Sequence, residues 1–427
     1  MKNLKNFSKL LAVLLFGFVL TACGNDQAAT PGSTGDGNRP FEGQTLTLGV
    51  WGGNDAEVAA IEAVRADFEA MTGAIIEWRL YTDYNVQIQA DFAAGIAPDA
   101  FYVESSVAEF FASLGVLAPL DRALFDADAF YQNVLDTFTF DGTVYAIPKD
   151  QSSLARYVNV GILNQVGFSL ADIPDAVEDY LEFLPRLQAA LDAEFGPGMV
   201  TAASGVLEPA RLLHWMNRGA DPVTADSRSN MSDPAVVANL EFVASLYNTG
   251  AMRTPAQMGA GWNGEAFGTE VVVIMEEGNW VYTFLRNEFS HVDFEIIDMP
   301  TFQGERSSML FTVGWGIYSQ SPNQELAAEW IRFKTGPDGM YTWTTGAGPL
   351  PTRPDVAARM APNLSDGLNT HIAQIPMGTP WVMGMFTPVI QDAFMNFMPV
   401  AIDGGMTVAQ AMEEADAQAN MQIDFAN

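Results

Sequence analysis

Apolar positions along the chain alternate between two spacings. Leu46, Leu48 and Val50 recur every second residue, the period of a strand, and run into the tight turn Trp51-Gly52-Gly53-Asn54-Asp55. Val58, Ile61, Val64, Phe68 and Met71 then recur at three and four, which puts them on one helical face, and Gly73 supplies a C-terminal cap. Ala74 to Leu80 reads as a buried strand, a helix through Ile88 and Phe92 ends at Gly95, and Asp99 to Val103 reads as the next strand. Later strands are expected at Leu154 to Val160, Val271 to Met275, Phe294 to Ile297 and Val313 to Tyr318, with helices at Asp233 to Tyr247 and Asn323 to Phe333. From Pro354 onward the pattern is nearly all helical, closing with Val408 to Ala419. Strand and helix units repeated at this length predict an α/β fold of mostly parallel sheets with helices on both faces and a helical C-terminal part. No solenoid or propeller period is present.

The N-terminus follows a different pattern. Lys2, Lys5 and Lys9 precede the apolar and glycine segment Leu10 to Leu20, too short to span a bilayer and suited to a secretory signal. The run Leu20-Thr21-Ala22-Cys23-Gly24 resembles the bacterial lipobox, which implies a signal peptide over residues 1–22 and a lipid on Cys23, the only cysteine. Residues 24–40 (GNDQAATPGSTGDGNRP) hold no large apolar side chain and read as a flexible tether.

Cleavage leaves 405 residues, enough for two or three domains, and with Cys23 modified neither a disulfide framework nor a thiolate metal site is available. The formal charge of −32 becomes −35 once Lys2, Lys5 and Lys9 are lost. Nucleic acid is excluded as a partner on this ground, since phosphate neutralisation needs clustered cations, and only Lys149 and Lys334 remain among the lysines. His214, His291 and His371 stand far apart and none belongs to an H-E-x-x-H motif, so no zinc site is expected. Gly52, Gly53 and Asn54 expose backbone N–H groups at a helix start, which bind ligand oxygens. They do not form a phosphate loop, because neither remaining lysine has a Gly-Lys-Ser/Thr context.

Six blocks, in order, extend this reading. They are Trp51 to Asp55; Ala93-Ala94-Gly95-Ile96-Ala97-Pro98-Asp99 with Leu114 to Asp121; Asp141 to Asp150 leading into Tyr157-Val158-Asn159; Ile274 to Trp280; Gly314-Trp315-Gly316 with Ser321-Pro322-Asn323 and Ala327 to Trp330; and Gly348-Pro349-Leu350-Pro351-Thr352-Arg353. Together they resemble the extracellular solute-binding proteins of sugar-importing ABC transporters, the family of maltose- and trehalose/maltose-binding proteins, over nearly the whole mature chain. The resemblance implies a type II periplasmic-binding-protein fold: two α/β lobes, a hinge crossed several times, and a solute in the cleft between them. It places lobe 1 at 41–151 plus about 303–337 and lobe 2 at 152–302 plus about 338–427. The crossings fall near Lys149 to Ser153, Pro300 to Arg306 and Thr335 to Tyr341. It further implies an extracytoplasmic, lipid-anchored monomer without cofactor or metal, which hands a carbohydrate to the transmembrane permease.

A sugar site needs aromatic platforms for ring faces and carboxylates or amides for hydroxyls. Trp280, after a buried strand and a Gly-Asn turn, matches a family position that stacks on ligand, and Tyr282, Trp315 and the region of Trp381 match further contact positions. Glu104 resembles an acidic sugar ligand of the family, and Asp150 and Gln151 lie on the first crossing. Tyr84 is a further candidate, and Lys149 stands out because cations are scarce. Trp51, Trp330 and Trp343 read as packing residues.

The rival reading is an extracytoplasmic glycoside hydrolase, which also uses a tryptophan-lined cleft with paired carboxylates. Glu276 and Glu277 are adjacent at a strand end and project to opposite sides, so they cannot flank one bond. No G-x-S-x-G motif is present. Carboxylates distant in sequence can still meet, which leaves the hydrolase open, as it does a binder of a non-sugar solute.

Overall fold

Strand β1 (Thr45–Trp51) buries Leu46, Leu48 and Val50 as its alternation requires. It pairs in parallel with β2 (Ile75–Tyr81) along its whole length, and with β3 (Ala100–Glu104) at Leu48 and Gly49. The crossovers are α1 (Asp55–Thr72) and the helix Tyr84–Ala94. Both end at glycines with positive φ, Gly73 at 77° and Gly95 at 68°, where a side chain would be strained. In this computed structural model residues 39–52 and 55–426 are described, so Cys23, the signal segment, most of the tether, Gly53 and Asn54 lie outside the described residues.

The remaining main strands are β4 (Ala146–Asn159), β5 (Thr201–Ser204), β6 (Met252–Arg253), β7 (Val272–Gly278), β8 (Phe294–Ile297) and β9 (Met309–Ile317). The sheet runs β2-β1-β3-β9-β4-β7-β5-β6, with β8 also paired to β4. All fourteen residues of β4 are buried. Its first half pairs antiparallel with β9, and its second half pairs with β7 and β8. One strand therefore belongs to two groups of strands, each with its own core. Leu46, Phe68, Phe101, Trp315 and Trp330 lie in the first core. Val158, Leu187, Leu240, Phe394 and Met412 lie in the second, which the C-terminal helices Thr387–Ile402 and Val408–Ala426 complete. A smaller cluster around Tyr157, Phe267 and Phe294 adjoins it, joined by Val281 and Leu285 of α2 (Trp280–Glu288).

The expected strand Leu154 to Val160 is the rear half of β4. Its front half, Lys149-Asp150-Gln151-Ser152-Ser153, is polar in sequence, yet it is buried because partners on β9 and the segment near Leu350 receive it. On α1, Val64 and Phe68 enter the core, whereas Val58, 49% exposed, and Met71 do not. The first turn of α1 overhangs a cavity instead of the sheet. Residues 161–232, left unassigned by periodicity, include the helices Tyr180–Phe195 and Pro209–Met216. Met340 of α3 (Pro337–Ala347), with Val356 and Met360, packs in the first core.

Candidate functional site

Where β4 passes from one core to the other, a cavity of about 670 Å³ opens. Its lining includes Ser152 of β4, Glu57 of α1, Asn279 and Trp280 at the start of α2, and Ala347-Gly348-Pro349 at the end of α3. Trp280 is 38% exposed, unusual for so large an apolar side chain. Its ring folds back over Gly278, where an added Cβ would lie 2.2 Å from the indole, so the glycine is needed for this placement. The Arg211 guanidinium lies 5.6 Å from the ring centroid and is itself held by Glu277 at 3.0 Å. The indole is thus oriented by β7 below and by a fixed cation beside it.

A second cavity of about 280 Å³ adjoins the first and shares Glu57 with it. Trp51, Gly52, Trp78, Tyr102, Lys149 and Trp343 are among its walls. The register between β4 and β9 slips at Val313/Gly314, leaving Lys149 as the extra residue of a bulge between Pro148 and Asp150. Adjacent side chains of a regular strand point apart. The bulge lets the Lys149 ammonium meet the Asp150 carboxylate, and both are buried. Trp343 Nε1 donates to the same carboxylate at 2.6 Å, and the Lys149 ammonium lies 4.4 Å from the Tyr102 ring centroid. Lys334, 1% exposed, places its ammonium 3.9 Å from the Trp343 ring, and burial pushes its pKa well down. Lys149 and Lys334 therefore converge on one tryptophan.

Of the residues singled out from sequence, Trp280 lines the larger cavity, and Gly52 and Lys149 line the smaller. Gly53 and Asn54 lie outside the described residues. Asp150 and Gln151 are buried structural residues: the Gln151 amide donates to the Pro351 carbonyl at 2.8 Å, and its backbone bridges to Leu350. Tyr84, Glu104, Tyr282, Trp315 and Trp381 line neither cavity. Tyr84 is buried and its hydroxyl donates to the Tyr102 carbonyl at 2.6 Å. Glu104 accepts from Asn85 at 3.0 Å, with burial raising its pKa. Trp315 is 0% exposed, packed between Tyr102 and Trp330, so it is a core residue rather than a platform. Tyr282 packs on Phe294, and the Trp381 ring on Phe311. Conversely, Trp51 and Trp343, expected to be packing residues, face the smaller cavity, whereas Trp330 is fully buried as expected. Glu57 and Ser152 carried no sequence signal of their own. Asn279 and Gly348 stood inside the fourth and sixth blocks.

The model of the bacterial extracellular solute-binding proteins matches residues 63–369, well over half of the chain. The chain belongs to this family. The solute-binding protein is accordingly extracytoplasmic, and its family binds solutes rather than converting them. No curated protein matches it. Solved structures share its two-lobed fold at low identity. The GacH receptor of Streptomyces glaucescens, solved unliganded and with acarbose, superposes with a TM-score of 0.73 at 20% identity, covering 88% of this chain and 97% of that one. The sugar-binding protein MalE from Xanthomonas citri gives 0.76 at 17%, covering 90% and 100%. The cyclic alpha-maltosyl-1,6-maltose binding protein from Arthrobacter globiformis gives 0.74 at 17%, covering 89% and 98%. Among the described residues of the solute-binding protein, no helix is long and apolar enough to cross a membrane.

Proposed function

We propose that this solute-binding protein captures an oligosaccharide or related polyol in the larger cavity and delivers it to the permease of an ATP-driven importer. The observation that carries the reading is the exposed Trp280 indole, held in a cleft between two cores beside Asn279 and Ser152. An aromatic face suits the apolar face of a sugar ring, and amide, hydroxyl and carboxylate groups suit its hydroxyl edges. The likeness in fold to proteins named for acarbose, maltose-type and cyclic maltosyl sugars supports the same choice.

Lobe 1 would comprise 41–151 and about 303–337, extended to about 360 because Met340, Val356 and Met360 share the first core, and lobe 2 the remainder. Closure would bend β4 near Ser152, where the chain leaves one core for the other, with the lobes moving as rigid bodies. The lipobox-like run at Cys23 supports a protein tethered by lipid close to its permease.

A thermal-shift panel of saccharides, peptides and divalent metals tests the solute class. One saccharide class is expected to raise the melting temperature of the purified protein. Inert saccharides alongside a stabilising peptide or metal would overturn the sugar reading.

A further inference from the structure

The smaller cavity has no role in the reading above. Its 280 Å³ is roughly twice the ~150 Å³ that admits benzene in an apolar protein cavity. Val50, Trp51, Val58, Ile61, Trp78 and Leu80 form most of its wall, with Tyr102 and Trp343 also facing it. Val58 and Leu80 are 49% and 66% exposed, so an occupant would cover apolar surface that the fold leaves in water.

Several polar groups of this wall are already engaged with one another. Glu62 accepts from Trp78 Nε1 at 2.8 Å and pairs with Arg65 at 2.9 Å. Lys149 is paired with Asp150, and the single N–H of Trp343 is spent on that same carboxylate. A hydroxyl buried without a partner costs about 1–3 kcal/mol, so the apolar part of this wall, away from Gly52 and Glu57, suits a hydroxylated sugar ring poorly. An apolar ring loses nothing there and gains the aromatic contacts. The wall is also preformed: Asp150 fixes the edge of Trp343, and the Lys149 and Lys334 ammonium groups lie 4.8 Å and 3.9 Å from its ring centroid. Glu57 stands at the seam with the cleft, so one molecule can occupy both cavities.

We infer that the smaller cavity is a binding site for an apolar ring, a phenyl or similar aglycone, carried by the solute whose polar part lies in the cleft. The aglycone rests on the sugar reading; the apolar site itself does not. Titration with 4-fluorobenzyl alcohol, followed by fluorine NMR, tests the site alone. Saturable binding is expected, weakened about tenfold or more in Val58→Trp and in Leu80→Trp, which fill the cavity from two walls whose exposure leaves the core untouched. Absence of saturable binding, or binding unchanged in both variants, would overturn the site.

The second arm compares phenyl with methyl glycosides of whichever saccharide binds. The phenyl compound is expected to bind about tenfold tighter, with the ratio falling towards one in Val58→Trp. Equal affinities in the wild-type protein would overturn the aglycone. If 4-fluorobenzyl alcohol binds and no glycoside does, the apolar site stands and the sugar reading, with the aglycone that depends on it, falls.

Discussion

Asp150 accepts from Trp343 and neutralises Lys149 at a bulge in β4, and all three side chains are buried. Asp150→Ala would leave the Lys149 ammonium in the interior without its counter-charge, an expected loss of about 3–5 kcal/mol. Urea denaturation reads this directly, and a loss below about 1 kcal/mol would show the pair to be dispensable. The scarcity of lysine made Lys149 visible in the sequence. Its partnership was not, because the i, i+1 contact depends on a bulge that only pairing with β9 creates. Trp280 was legible for a local reason, a strand end followed by Gly-Asn. Trp315 was misplaced because its depth is set by Tyr102 and Trp330, which come from distant segments.

Strand β4 is also joined to α4 (Asp366–Gln374) through His371. The His371 Nδ1 atom lies 2.9 Å from the Ser153 carbonyl, which can only accept, so Nδ1 carries the proton and Nε2 accepts from the Tyr157 hydroxyl at 2.9 Å. Burial lowers the His371 pKa from 6.5 to about 4 and, in the helix Pro209–Met216, the His214 pKa to about 3. The unfolded chain takes up these protons first, so stability present above pH 6.5 is lost as pH falls through about 4. Glu276 behaves oppositely. Burial raises its pKa from 4.5 to about 7, so stability present below pH 4.5 is lost as pH rises through about 7. Where the two windows overlap the two histidines outweigh the one carboxyl, so urea midpoints are expected to peak near pH 6.5, and Glu276→Gln is expected to flatten the alkaline limb. An unchanged alkaline limb in that variant would assign it to other groups. At this scale periodicity located the strands with apolar runs and missed the front of β4, whose polar residues are buried against partners from segments far along the chain.

For the whole molecule, the α/β class was legible because repeated strand and helix units admit few arrangements. The sharing of β4 between two cores, which creates the cleft, is a property of pairing with β9, β7 and β8 that no local pattern encodes. The strong negative charge acts at this scale too, on solubility rather than on the fold. Cys23→Ala is expected to move the protein from the membrane fraction to the soluble one with solute affinity unchanged; a fall in affinity measured on both forms would give the anchor a part in binding. The central claim is that the cleft beside Trp280 holds the solute. Isothermal titration of the wild-type protein and Trp280→Ala with the saccharide found by the panel tests it most directly. Removal of one stacking platform is expected to weaken binding about tenfold or more at unchanged thermal stability, whereas equal affinity in the two proteins would contradict the account.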